Sequence, residues 1–103
     1  MAETALTEAV YYILLSLTEP MHGYGIMQNV AALSDGRVRL AAGTLYGALN
    51  TLVEKGWIES AGLDEGRKKE YRITPRGREV LDGEVKRLEE LLENGKRILE
   101  EKK

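Results

Sequence analysis

The chain contains no cysteine among its 103 residues. That excludes disulfides, thiolate nucleophiles and cysteine-built zinc sites, and it suits a reducing cytoplasm. There is one histidine, His22, and a lone imidazole cannot assemble a metal centre without further ligands. No nucleophile–base pair and no His–carboxylate pair is visible, so neither an enzyme nor a cofactor or metal is expected. No apolar run approaches the ~18–20 residues that cross a bilayer, so no membrane partner is expected. The N-terminus lacks the basic start of a secretory signal. Lys and Arg are absent from residues 1–36, which carry four acids. With a formal net charge of −2, the chain is not built to coat polyanions indiscriminately.

What is present is concentrated. Residues 37–78 hold nine Lys or Arg against five acids, a net +4 inside a −2 chain. Residues 79–103 are mildly acidic again. Positive charge gathered on one segment suggests a polyanion-binding face.

The periodicities give the element order. Residues 4–18 read as a helix behind a Thr4 cap, with a stripe of Leu6, Val10, Ile13, Leu14 and Leu17. Tyr11, Tyr12 and Leu15 widen that stripe beyond one face, which predicts burial against two partners. Glu19-Pro20 ends the helix. Residues 21–33 form a second helix facing inward with Ile26, Met27, Val30 and Leu33, followed by a Ser34-Asp35-Gly36 turn. Arg37 to Leu40 alternates charged and apolar residues as a short strand does. A third helix over 42–55 buries Leu45, Leu49, Leu52 and Val53, and Gly56 closes it. Trp57 to Leu63 and Lys69 to Ile73 form a hairpin across Asp64-Glu65-Gly66-Arg67. Thr74-Pro75 opens a last helix that runs to the C-terminus. Its Leu81, Val85, Leu88, Leu92 and Leu99 keep a heptad register. At ~28 residues it would span about 42 Å, longer than the rest of the domain, so its distal half needs something outside to pack on.

The fold class is therefore mostly α with a small β-hairpin (α+β): a winged helix-turn-helix plus a long C-terminal helix. The division is a winged-helix domain over 1–74 and a dimerisation helix over 75–103. The third helix lies where a recognition helix lies. Thr44, Gly47, Asn50 and Thr51 face outward with no bulky apolar neighbour, and Asn50 can pair bidentately with adenine. Arg67, Lys68 and Lys69 at the wing suit phosphate oxygens. Tyr46 stands between core and phosphate contact. Trp57 and Ile58 read as hairpin core rather than a ligand platform, and His22 as a turn or cap residue. Tyr11, Leu14 and Leu15 on the first helix, with Leu81, Val85, Leu88, Leu92 and Leu99 on the last, are the candidate dimer surface.

The segment GTLYGALNTLVEKGWIES…RKKEYRITPRGREVL, with Met21-His22-Gly23-Tyr24-Gly25-Ile26 upstream, resembles the PadR-like transcriptional regulators, over roughly residues 8–81. The short length with one C-terminal helix is similar to the compact subgroup. The resemblance implies a homodimeric repressor on double-stranded DNA with a pseudo-palindromic operator, and release by a small-molecule effector at the dimer interface. Two departures stand out: Ala41-Ala42 replaces the family's capped start before the third helix, and Gly47 replaces a frequent proline. The last helix has no aromatic residue, so drug binding between tryptophans is not carried over. A winged helix used for protein–protein contact, without DNA, is the alternative reading.

Overall fold

The computed structural model describes residues 5–103. The elements in chain order are α1 (Glu8–Ser16), β1 (Met21–His22), α2 (Gly23–Leu33), α3 (Ala42–Glu54), β2 (Ile58–Leu63), β3 (Lys69–Ile73) and α4 (Pro75–Glu101). The α+β winged-helix expectation is met: four helices and a three-stranded antiparallel sheet in the order β1-β3-β2, with a long terminal helix.

Each boundary has a local cause. Thr4 lies outside the described residues, and α1 opens behind Thr7, whose hydroxyl accepts the Val10 N–H at 3.1 Å. His22 caps α2 through its ring, and Thr74 caps α4 with Pro75 in the first turn. Ala41 offers α3 no side-chain cap. At the other end of α3, Gly56 takes a φ of +78°, its N–H reaches Val53 O at 2.9 Å, and the Trp57 N–H reaches Leu52 O at 3.0 Å. This paired closure satisfies two carbonyls that the helix leaves open.

Three expectations are corrected. Arg37 to Leu40 is not a strand. The edge of β3 that a third strand could use is taken by Met21 and His22, opposite Tyr71 and Glu70. Residues 37–40 instead link the helices, and the Val38 N–H is held by the buried Ser34 hydroxyl at 2.9 Å. Leu33 and Val53 are exposed rather than core. Both stand in the last turn of their helices, where Val30 and Leu52 take the core positions instead.

The core gathers Ile13 and Leu14 from α1 with its C-cap Leu17, Ile26 and Val30 from α2, and Leu45, Leu49 and Leu52 from α3. Ile58, Tyr71 and Leu81 close it from the sheet and α4. Buried polar groups are paired: the Ser16 hydroxyl donates to Tyr12 O and accepts from Asn29 Nδ2, both at 2.8 Å. At the foot of α4 the chain is drawn close to the α3–β2 link. The Thr74 N–H meets Trp57 O at 2.9 Å and its hydroxyl donates to Gly56 O at 2.6 Å. Gly77 sits directly on the Trp57 carbonyl, where a Cβ would have no room.

The first turns of α4 thus belong to the packed unit. Leu81 and Glu84 are buried there, and beyond them the helix runs out of the body of the molecule, whose longest dimension is 56 Å. From Leu88 onward all residues of α4 are exposed, including Leu91, Leu92, Ile98 and Leu99. Among the described residues no helix is long and apolar enough to cross a membrane.

Candidate nucleic-acid interface

Leu45, Leu49 and Leu52 pin one face of α3 into the core, and that fixes what the opposite face shows. Thr44, Gly47, Asn50, Thr51 and Glu54 are all exposed on it. The Thr51 hydroxyl donates back to Gly47 O at 3.2 Å, which leaves its oxygen free to accept. Tyr46 is 46% exposed. Its ring leans over the first turn of α2, with the hydroxyl against Gly23, where only a residue without a Cβ leaves space. Tyr46 is thus a half-open surface residue braced from behind, not a core residue.

The wing is a bent hairpin. The ladder runs Leu63↔Lys69, Gly62↔Glu70, then slips so that Ser60 faces Tyr71, leaving Ala61 as an extra residue. Such a bulge increases local twist and bends the strand. At the tip, the Arg67 N–H reaches Asp64 O and the Asp64 N–H reaches Lys68 O, both at 2.9 Å. The Asp64 carboxylate accepts the Lys68 N–H at 2.7 Å. Arg67 closes this turn with φ +64°, the left-handed conformation that glycine usually supplies in such loops. Arg67, Lys68 and Lys69 are exposed, and Lys69 Nζ lies 5.3 Å above the Tyr71 ring.

The +4 of the segment is not spread evenly. Arg37 is paired with Glu8, Arg72 with Glu59 across the hairpin at 2.8 Å, and Arg78 with Asp82 at 3.1 Å. Lys55 Nζ lies 5.1 Å over the Trp57 ring, at the end of α3. Half-buried Trp57 and buried Ile58 pack as hairpin core. Once the paired arginines are set aside, the wing tip holds three consecutive bases, while Arg39, Lys55 and Arg76 stand singly elsewhere on the segment.

Sequence reasoning missed Tyr24, which is 60% exposed at the start of α2. With Gln28, Arg39 and Leu40 it borders an open cleft of 390 Å³ between α2 and the approach to α3. It lay in plain sight beside His22 and Gly23, but periodicity says nothing about a polar aromatic in a first turn. His22, read as a turn or cap residue, also comes to 3.8 Å from the Asp64 carboxylate of the wing, a contact its sequence neighbours do not signal.

The candidate dimer residues separate into two sets. Leu14 is fully buried and Leu81 is 3% exposed, so both serve their own chain's core and offer a second chain no surface. Tyr11 and Leu15 are half-buried on α1, and Val85, Leu88, Leu92 and Leu99 are exposed along α4. Between the two helices lies a cleft of 300 Å³ lined by Leu6, Tyr11, Tyr12, Glu84, Arg87 and Leu88. Among the described residues no group of three or more His, Cys, Asp or Glu is placed to hold a metal ion.

Residues 12–83 match the model of the family described as "Transcriptional regulator PadR-like family". A PadR family transcriptional regulator from Eggerthella lenta superposes with a TM-score of 0.70 at 30% identity, over 88% of this chain and 80% of that one. A transcriptional regulator from Clostridium thermocellum superposes with a TM-score of 0.66 at 26% identity, over 91% and 87%. An uncharacterized 37.1 kDa protein in transposon TN4556 of Streptomyces fradiae is 35% identical over 79 residues, 76% of this chain. The present chain spans only 22% of that relative's length.

Proposed function

The chain belongs to the PadR-like family of transcriptional regulators, and from that premise we propose that it is a cytoplasmic, homodimeric repressor that reads a pseudo-palindromic operator in double-stranded DNA. One observation carries the reading: an α3 that exposes Thr44, Gly47, Asn50 and Thr51 stands in the same unit as a hairpin whose tip is Arg67-Lys68-Lys69.

The parts divide the work. An α-helix fits the major groove, where Asn50 can pair with adenine N6 and N7 and Thr44 and Thr51 can reach either bases or phosphates. Gly47 lets the backbone approach closely. Tyr46, 46% exposed at the edge of that face, is the candidate phosphate contact beside it. The wing triplet supplies counter-charge to the backbone, a sequence-independent contribution that weakens as salt rises.

A single copy holds one half-site. The exposed apolar positions of α4, with Tyr11 and Leu15 of α1, are the surface on which a second copy completes the reader. The dimer then fixes the spacing of two α3 helices at one or two turns of duplex. A small-molecule effector seated between α1 and α4 at this interface would change that spacing and release the DNA, since an effector acts by binding one arrangement better than the other.

The test is duplex binding, followed by fluorescence anisotropy across a salt series. The expected result is a log–log slope of about −0.9 per phosphate contact, flattened when Arg67, Lys68 and Lys69 are all changed to Ala. Absence of affinity even at low salt would hand the fold to the protein–protein reading instead.

A further inference from the structure

The imidazole of His22 is used on both sides. Its Nδ1 accepts the Gly25 N–H at 3.1 Å and so caps α2. In the neutral ring, that acceptor role puts the proton on Nε2. Nε2 lies 3.8 Å from Asp64 Oδ2. The other carboxylate oxygen, Oδ1, is the one that accepts the Lys68 N–H at 2.7 Å. One side chain of α2's cap and one of the wing turn thus face each other, and the two are only 26% and 20% exposed. The encounter exists because β1 lies along β3, which sets His22 opposite Glu70 and within reach of the hairpin's end.

We propose that His22 and Asp64 form a brace that sets the angle of the wing to the helix-turn-helix, making His22 a positioning residue for DNA binding. This rests on the DNA-binding reading above. Beyond Glu70 the wing is only two strands wide, a marginally stable arrangement by itself, and a tip free to swing must be ordered when it meets a phosphate backbone. At 3.8 Å the contact is an N–H dipole facing a carboxylate rather than a hydrogen bond. It holds the turn whose other bonds carry Arg67 and Lys68, so it acts on the charges that matter without touching DNA.

The brace makes a prediction opposite in sign to simple charge counting. Asp64→Asn removes a negative charge from a DNA-facing hairpin, which by Coulomb attraction alone would tighten binding. Its Oδ1 can still accept the Lys68 N–H, so the turn itself survives. His22→Asn keeps a side-chain oxygen able to cap α2 but is too short to reach Asp64. The experiment takes the full chain, the two single variants and the double variant. It measures amide hydrogen exchange at Arg67 and Lys68 without DNA, and affinity for a mixed-sequence duplex by anisotropy.

The expected result is several-fold faster exchange at the wing tip in both single variants, with α2 protection kept. Binding should weaken about two- to fivefold in each, the upper range for a partly exposed charged contact, and the double variant should be no worse than either single. Tighter binding by Asp64→Asn, unchanged wing-tip exchange, or single-variant losses that multiply in the double would each overturn the brace. If the unmodified chain binds no duplex, the DNA-binding reading fails, and the exchange measurements alone decide the brace.

Discussion

Glu84 and Arg87 meet through two parallel bonds of 2.8 and 2.7 Å at the point where α4 leaves the core. The same carboxylate accepts the Leu6 N–H at 3.2 Å, so one buried side chain ties the approach to α1 to the root of α4. A buried carboxylate survives only when paired and bonded in this way. The Arg87 hydrogen bond is the largest influence on its titration. It outweighs the cost of burial and, with the Leu6 N–H, holds the Glu84 carboxyl below the usual carboxylate range.

A group whose folded pKa is depressed stabilises the fold above its unfolded pKa, about 4.3 for glutamate, and loses that contribution as pH falls through the folded value. Glu84→Gln should therefore cost about 1.5–3 kcal/mol near neutral pH, the worth of a hydrogen bond to a charged group. Thermal melts from pH 7 to 3 should show the gap between wild type and variant closing on the acid side. A gap that stays constant across that range would assign the loss to packing instead.

Two glycines in α4 should respond with opposite signs. A Cβ at Gly77 would collide with the Trp57 carbonyl, which is backbone and already bonded to the Thr74 N–H, whereas a Cβ at Gly83 meets nothing within 4 Å. Gly83→Ala should stabilise by roughly 0.5–1 kcal/mol through helix propensity. Gly77→Ala should lose about 2–3 kcal/mol or more as the helix foot is pushed from the sheet. Urea denaturation of both variants is the check, and equal effects would contradict the close approach.

Arg67 sits in a left-handed turn position that a non-glycine side chain occupies at about 1–2 kcal/mol. Arg67→Gly should relieve part of that cost and raise the melting temperature, while lowering affinity for DNA and flattening the salt slope by about one phosphate contact. Stability and binding would then move in opposite directions from one substitution. A variant that gains neither stability nor weaker binding would mean that the side chain at the wing tip is idle.

The long-period features were legible from the sequence. Leu45, Leu49 and Leu52 announce α3 by spacing, and Asp64-Glu65-Gly66-Arg67 between two strand-like runs announces the wing. What escaped depends on residues far apart in the chain. β1 is two residues long and exists only because the edge of β3 is there to receive it. Glu84 reaches Leu6 across 78 positions. His22 finds Asp64, and Tyr46 finds Gly23, only after the helices have packed. Alternation misled at residues 37–40, because a pattern of apolar and charged residues suits a linker lying on a core as well as a strand. The net +4 was correct as a sum, but three of its arginines turn out to answer nearby carboxylates.

The distal half of α4 makes the sharpest demand. Leu91, Leu92, Ile98 and Leu99 are exposed on a helix whose first turns alone are buried. Each such side chain stands to gain about 1.5–3 kcal/mol on full burial. A second copy pairing along this face would cover them all at once, whereas Leu14 and Leu81, already buried, would add nothing. Light scattering at micromolar concentration should return a dimer for the unmodified chain. Leu92→Glu with Leu99→Glu, both at exposed positions, should return a folded monomer with the helical signal of the winged domain intact. That monomer should bind a single half-site weakly and lose the preference for a pseudo-palindrome, because effective concentration between linked half-sites is what the second copy contributes. A wild-type monomer at these concentrations would refute pairing through α4, and a double variant that stays dimeric would move the interface to the α1 face around Tyr11 and Leu15.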